Sequence, residues 1–492
     1  MGTETEIKLS LSARAASQLA KQAMLSNIAP ARQLLINTYY DTPDNSLRRE
    51  RVVVRHRQKG RQCLLTVKTA PVPAGGLAQR SEWEVPSRSG EFDFAHVDSD
   101  RLRALLESLR DQLRPAFTTR FRRDSWLLEP RAGVCIELAL DRGWIEARAQ
   151  RQTIREVELE LLAGEVIDLF EVAAALQASL PMHPESSSKS ERAYRLLVDL
   201  PLLAAKALPV ATEAGMPTLG AFRLIVLACL AHLQCNEQGV CQSDDPEFVH
   251  QARVAIRRLR SAIRLWRPLL PEPFVARFDP LWQELAAKLG DARNWDVFLA
   301  ETLPMLGEAC AGTLAVDRLS RYAARRCADS RKAARRALKS ADYSRLLIDF
   351  TAAVLALSET DAGSLGRFVP RCLNKRAKRV KERAVAALGL DVVALHRLRV
   401  AFKQLRYAVE FFTPMLAGPA LEKYHQSATG LQEVLGRLND VTVASKLTAE
   451  APPASRDQAI RDCLAARTEA LLPEFGELLQ DFQRQPMPWK AL

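Results

Sequence analysis

TETEIKL at Thr3–Leu9 and EVELEL at Glu156–Leu161 are the segments on which the fold turns. In an extended strand, residues two apart lie on one face roughly 7 Å apart. Glu4, Glu6 and Lys8 therefore share a face, as do Glu156, Glu158 and Glu160. An ordinary half-buried strand turns its apolar residues inward and its polar ones to water. Here the charges form the regular series, and same-side carboxylates at this spacing repel one another unless a cation sits between them.

The pattern continues along residues 1–200. Arg55 and Arg57 alternate, as do Glu82 and Glu84, Arg120 and Arg122, with Thr66 and Lys68 adding a basic position. Strands are expected over Thr3–Leu9, Val52–Arg57, Cys63–Thr69, Ser81–Val85, Phe117–Trp126, Gly133–Leu140 and Arg155–Leu161, with helices over Leu102–Leu113 and Glu165–Ser179. Same-face charges of both signs suit a closed sheet with a charged lumen, which could hold divalent cations and a multiply charged anion. A solvated sheet face with cross-strand ion pairs is the plainer alternative for any one pair. His56 has the opposite parity from Arg55 and Arg57 and is not expected in the lumen.

These residues resemble the CYTH domains, the triphosphate tunnel metalloenzymes. ETEIK matches the ExExK signature, followed in order by YYDT (Tyr39–Thr42), RHR (Arg55–Arg57), TVK (Thr66–Lys68) and SEWEVP (Ser81–Pro86). TRFR (Thr119–Arg122), LALDRG (Leu138–Gly143), EVELEL and SSKSERAY (Ser187–Tyr194) complete the series. The resemblance implies an eight-stranded antiparallel barrel whose tunnel binds a triphosphate. It assigns Lys8, Arg55, Arg57, Lys68, Arg120, Arg122 and Lys189 to the phosphates, and Glu4, Glu6, Asp141, Glu158 and Glu160, with Glu82 or Glu84, to Mg²⁺ or Mn²⁺. Glu4, Glu6 and Lys8 are the expected catalytic residues; Arg80 and Arg192 are each either a further phosphate ligand or a surface residue. Such chemistry needs charge neutralisation and an in-line water rather than covalent help.

The chain has 492 residues, 48% of them apolar, with a net charge of +12. Residues 1–200 carry 29 basic and 27 acidic residues, and 201–492 carry 41 and 31. The length allows two to four domains and excludes global disorder. Nine dispersed cysteines without a C-x-x-C fit free thiols in a reducing cytosol rather than zinc or disulfides. No run of about 18 apolar residues occurs and the N-terminus is charged at once, so neither a transmembrane helix nor a secretory signal is expected. A cytoplasmic location is expected, with polyphosphate granules as a place of association.

Beyond residue 200 the alternation stops. Residues 201–217, with three prolines and one glycine, read as a linker, and helical spacing follows over Leu219–Gln234, Pro246–Leu270, Leu314–Ala341 and Ala394–Leu416. The expected organisation is α+β: a barrel over 1–200, then an all-helical bundle over 218–492. HQARVAIRRLRSAIR from His250 and HRLRVAFKQLRYAVE from His396 are 146 residues apart, as are LGDARNWDV from Leu289 and LGRLNDV from Leu435. A shared offset in two blocks marks an internal duplication. His250, Arg253, Arg257 and Arg260, then His396, Arg399, Lys403 and Arg406, project within a stripe of about 80° at ~100° per residue. Arg264 extends the first stripe, and Glu410 holds that place in the second. A single stripe of this kind is usually a solvated face; two without relieving i,i+4 carboxylates suggest helices facing one elongated anion.

This half resembles the CHAD domains over about 218–485, a pseudo-twofold helical family that binds inorganic polyphosphate. The resemblance assigns the eight stripe residues to that ligand, with Arg258 and Arg264 added. LGDARNWDV is expected to serve as a structural turn in which Asp291 and Asp296 brace arginines. The function these readings imply is a metal-dependent inorganic triphosphatase with an attached polyphosphate-binding domain. A non-catalytic polyphosphate binder and a nucleoside or thiamine triphosphate hydrolase are the alternatives. Nucleic acid is disfavoured for the basic helices because no aromatics interleave with them, and no membrane partner is expected.

Overall fold

Strands β1 (Gly2–Leu11), β2 (Ala31–Asp41), β3 (Val52–Lys59), β4 (Gln62–Thr69), β5 (Leu77–Pro86), β6 (Arg114–Leu128), β7 (Cys135–Ala147) and β8 (Gln150–Ala163) pair in the order β5-β4-β3-β2-β6-β7-β8-β1. Antiparallel pairing of β1 with β5 closes the barrel, and a short strand, β9 (Met182–Pro184), adds beside β1. The structure, a computed structural model, describes residues 2–69, 76–198, 201–310, 313–358, 363–389, 391–416 and 418–491.

The alternation in these strands sorts charge inward and apolar bulk outward. Ile7, Leu9, Leu138, Leu140, Val157 and Leu159 lie in one buried cluster with Leu169, Phe170 and Leu176 of the helix Val166–Ser179. Val52, Val54, Leu65, Val67 and Trp83 lie in a second with Phe94, Val97, and Leu102 and Leu106 of the helix Asp100–Leu109. Helices thus cover much of the outer wall, and the barrel's main hydrophobic cores lie outside it. A third cluster fills part of the interior: Leu35, Tyr39, Phe117, Phe121, Ile145 and Ile154 pack with Ala193 and Tyr194 of the helix Lys189–Val198.

Two compact units form, 1–203 with 339–356 and 204–338 with 357–492. The division therefore departs from a simple cut near residue 200. The helix Ala341–Leu355 belongs to the barrel unit, where Ile348 is fully buried in the cluster beneath Val166–Ser179. Its Ser344 carbonyl accepts a hydrogen bond from Gln177 Nε2 at 3.3 Å, and its Ser344 hydroxyl meets His183 Nδ1 at 2.7 Å.

In the helical unit, residues 204–217 form an ordered strap. Asn236 and His232 side chains bond the Ala205 carbonyl, Thr212 Oγ1 donates to the Phe411 carbonyl, and Ala214 and Met216 carbonyls accept from Gly366 and Leu365. The duplication reappears in three dimensions. Pro246–Trp266 and Val392–Phe411 are corresponding helices, N-capped by Asp245 and Asp391 at the same 146-residue offset, each side-chain oxygen accepting a first-turn N–H. LGDARNWDV lies inside the helix Glu272–Val297, not at a turn, and LGRLNDV inside Pro419–Glu450.

The helix Thr218–Gln242 is the most apolar long helix among the described residues. By length and hydropathy (mean 1.6 over its most apolar window) it is long and apolar enough to cross a bilayer, although 61% of that window is buried. Gly239 lets it approach its neighbour: a Cβ there would fall 1.9 Å from the Phe248 ring.

Candidate functional site

Strand parity and register build the first site. Glu4, Glu6 and Lys8 of β1 project into the barrel with Arg55 and Arg57 of β3, Lys68 of β4, and Arg80, Glu82 and Glu84 of β5. Arg123 of β6, Glu137 and Asp141 of β7, and Glu156, Glu158 and Glu160 of β8 complete the wall, with Lys189 and Arg192 added by the helix Lys189–Val198. The cavity within measures about 260 Å³.

The charges separate into distinct groups. Lys68 Nζ contacts Glu4 and Glu82 at 2.9 Å, Arg80 bridges Glu4 at 2.6 Å and Glu6 at 2.7 Å, and Lys8 meets Glu6 at 2.9 Å. Burial pushes the Glu4 carboxyl up, but Lys68 and Arg80 beside it hold it well below the usual carboxylate range. A second group joins Asp141, Glu156 and Glu158 to Arg123, Lys189 and Arg192, with Lys189 Nζ 2.7 Å from Asp141 and 2.9 Å from Glu158. Burial opposes the Lys189 charge, yet these three carboxylates raise its pKa.

Two further groups are poorly compensated. Arg55 and Arg57 reach Glu82 and Glu84 only at 3.7 and 3.6 Å, and the buried Arg55 Nε and Nη2 lack hydrogen-bond partners among the described residues. Burial, then Arg55 and Arg123, lowers the Arg57 pKa to about 10. On the acidic side, Glu6, Glu160 and Glu137 lie directly opposite one another across β1, β8 and β7. Burial, then Glu4, raises the Glu160 carboxyl to about 7. One wall is thus short of anions and another short of cations.

The carboxylate side fits a hard divalent cation. Its donors are all oxygens, the set that Mg²⁺ and Mn²⁺ prefer, and Glu160 and Glu137, which have no ion pair among the described residues, add negative charge beside the salt-bridged Glu4 and Glu6. Asp141, Glu156 and Glu158 bring one oxygen each within 4.8 Å of the others, but Lys189 already occupies their centre. The structure places Glu82 and Glu84 toward the arginines and Thr66, whose hydroxyl donates to Glu84 at 2.8 Å.

Arg120 and Arg122 need correction: both are exposed on the outer wall, and the lumen residue of β6 is Arg123. The expectation equated charge with the interior, but β6 alternates Phe117, Thr119, Phe121 and Arg123 inward because the barrel is apolar at this point. Arg123 sits in a run of three cations, RFRR, so charge alone gave no parity. Glu137 and Glu156 were also missing from the expected site; Glu156 was legible as the first member of the Glu-x-Glu-x-Glu series. His56 lies outside, its Nε2 bonded to the Glu91 carbonyl. Arg80 and Arg192 point inward.

The second site lies between the duplicated helices. His250, Arg253, Arg257, Arg399, Lys403 and Arg406 line a cavity of about 180 Å³ with Arg293, Asn294, Tyr407, Asn439 and Asp440. The buried Nε atoms of Arg257, Arg399 and Arg406 lack hydrogen-bond partners among the described residues. Burial first, then Arg257, Arg399 and Arg253, lowers the Lys403 pKa to about 6. Burial, then Arg293, lowers His250 to about 4.

Not every stripe residue joins this cavity. Arg260 pairs with Asp279 at 2.8 Å, Arg264 approaches the same carboxylate at 3.8 Å, and His396 is not among the lining residues. Arg258 is buried and reaches Glu410 of the partner helix at 3.2 Å. Arg293, which sequence reasoning missed, enters from LGDARNWDV; Gly290 one turn earlier faces Arg253, whose Nε lies at an ordinary contact distance of 3.4 Å from where a Cβ would stand. Asp296 does brace an arginine, Arg331, at 2.7 Å.

Comparison with known proteins follows this division. Residues 2–194 match the CYTH domain and residues 224–449 the CHAD domain. An inorganic triphosphatase from Haemophilus influenzae is 34% identical over 197 residues, 39% of this chain and 54% of that protein, so the chain spans about half the length of that relative. The crystal structure of the CHAD domain from the plant Ricinus communis is 31% identical, covering 59% of this chain and 94% of that one, with a TM-score of 0.45. A Hippeastrum protein, described as a putative adenylyl cyclase with a dominant triphosphatase activity, is 20% identical, covering 39% and 95%, with a TM-score of 0.29.

Proposed function

We propose that this chain, which carries a CYTH domain and a CHAD domain, hydrolyses inorganic triphosphate to pyrophosphate and phosphate in its tunnel and binds inorganic polyphosphate between its duplicated helices. The observation that carries the first half is the polarised lumen. Arg55 and Arg57, short of anions, face the phosphate oxygens, with Arg123, Lys68 and Lys8 close to the same space. Glu4, Glu6, Glu137 and Glu160 would hold Mg²⁺ or Mn²⁺, which when bound neutralises phosphate charge and lowers the pKa of a bound water. The buried salt-bridged groups fix both walls before substrate arrives, so little reorganisation is left for the reaction.

The cavity favours inorganic triphosphate over nucleoside or thiamine triphosphates. Its aromatic lining is Tyr39 and Phe121. Tyr39 already stacks on Phe117 with centroids 4.6 Å apart, and Lys189 lies 5.0 Å over Phe121. Among the described lining residues no free ring awaits a base. The relative from Haemophilus influenzae bears the name of the same activity. For the second half, the support is the set of cations with unsatisfied buried donors in the groove. Nine dispersed cysteines without a C-x-x-C suit a reducing, cytoplasmic setting.

The test is phosphate release from triphosphate, pyrophosphate, ATP, thiamine triphosphate and long-chain polyphosphate, each with Mg²⁺, Mn²⁺ or chelator. Release from triphosphate alone, abolished by chelator, is expected. Equal rates on ATP would move the assignment to organic triphosphates. Tight binding without release would leave a polyphosphate-binding protein.

A further inference from the structure

The arginines that do not enter the tunnel form a surface of their own. Register aligns Leu34, Arg122, Arg142 and Arg155 in one row across β2, β6, β7 and β8. The next row is Ile36, Arg120, Trp144 and Thr153. Arg32 and Arg151 flank these rows. Six arginines meet two carboxylates: Asp124 pairs with Arg142 and, at 4.0 Å, with Arg32, while Glu146 takes Arg151 at 2.9 Å. Arg120, Arg122 and Arg155 have no ion pair among the described residues. Like charges directly opposite on a sheet destabilise it, so a row of three arginines is a place where an anion relieves repulsion.

Trp144 gives the anion a second property. Its side chain is 48% exposed on an open sheet face, beside Arg120 and two residues along the strand from Arg142. Among the described residues no aromatic ring packs on it. An exposed indole amid arginines is the pairing of stacking platform and backbone-tracking charge that binds unpaired bases. Inorganic polyphosphate has no π face and would make no use of the ring. We infer that this outer wall of the barrel, centred on Trp144 with Arg120, Arg122, Arg142 and Arg155, is a binding surface for single-stranded nucleic acid, separate from the tunnel inside the same strands.

The test uses the full chain with tripolyphosphate and long-chain polyphosphate present in excess, which occupy the tunnel and the helical groove. A fluorescein-labelled single-stranded thymidine oligonucleotide is titrated in. Trp144→Ala should weaken its binding about tenfold, the scale of one lost base stack, and Trp144→Phe should restore most of it. Arg155→Glu should weaken binding and flatten its dependence on salt. An abasic strand of equal length should bind the parent no better than the thymidine strand binds Trp144→Ala. Thermal melting of each variant checks the fold. The inference is overturned if Trp144→Ala binds the oligonucleotide as the parent does. It is equally overturned if the abasic strand binds as tightly, or if excess polyphosphate displaces the strand completely, either of which makes the wall a general polyanion surface.

Discussion

Arg122 and Arg123 are neighbours with opposite fates, and that difference is measurable. Arg123 Nε and Nη2 reach Asp141 at 2.8 and 2.7 Å inside the barrel, whereas Arg122 is exposed. Arg123→Ala should raise the triphosphate KM by at least about tenfold, since a charge-assisted contact is worth roughly 1.5–3 kcal/mol. Arg122→Ala should leave KM within about twofold, and equal losses in steady-state kinetics would restore Arg122 to the lumen. Lys403 supports a pH prediction. Its pKa of about 6 in the folded, empty groove lies below the ordinary lysine value near 10.5, so unfolding takes up a proton between those limits. This group's contribution to stability therefore rises with pH across that window and is most unfavourable below about pH 6. A bound polyanion reverses the shift, so binding at pH 7–8 should take up a proton and weaken as pH rises. Calorimetry in buffers of different ionisation enthalpy reads that uptake, and Lys403→Met should remove it. Single residues were legible in the sequence where charge alternated cleanly, as with Glu4, Glu6 and Lys8. They were not legible where three cations ran together or where a partner such as Asp279 came from a distant helix.

At the scale of elements, seven barrel strands announced themselves by alternation and β2 did not. ARQLLINTYYD runs Leu34, Leu35 and Ile36 consecutively because its outer wall is partly apolar and its inner wall holds Leu35 and Tyr39. LGDARNWDV, expected as a turn, lies inside the helix Glu272–Val297. A steric demand does fall on the glycine of LALDRG. A Cβ on Gly143 would stand 2.1 Å from the Arg120 carbonyl and 2.4 Å from the Phe121 Cα, backbone atoms that cannot swing aside. Gly143→Ala should therefore cost about 1–3 kcal/mol or more of stability by overpacking. The measurement is the midpoint of chemical denaturation. A midpoint within error of the parent would mean that β6 and β7 can separate locally without loss.

For the whole molecule, the two textures of the sequence correspond to the two architectures and the first cut falls at residue 203, but residues 339–356 return to the barrel unit. Nothing in the spacing of Ala341–Leu355 distinguishes it from the helices around it in sequence; its partners, the helix Val166–Ser179 and β9, lie far away along the chain. Ile348 is fully buried among Leu169, Phe170 and Leu176, and Ser344 engages both Gln177 and His183. Residues 1–203 alone therefore lack one wall of their own core. That fragment should still form the barrel, because the closing β1–β5 pairing and all tunnel residues lie within it. It should unfold at lower denaturant than the barrel of the full chain, and expose apolar surface on Val166–Ser179 that binds a hydrophobic dye. Ile348→Ala in the full chain should reproduce part of the loss, about 2–5 kcal/mol for a large-to-small change in a packed core. A synthetic peptide of residues 339–356 added to the fragment should recover part of the midpoint and suppress the dye signal. If fragment and full chain unfold at one midpoint by a barrel-specific signal, and Ile348→Ala is silent, the helix rests on the barrel without supporting it.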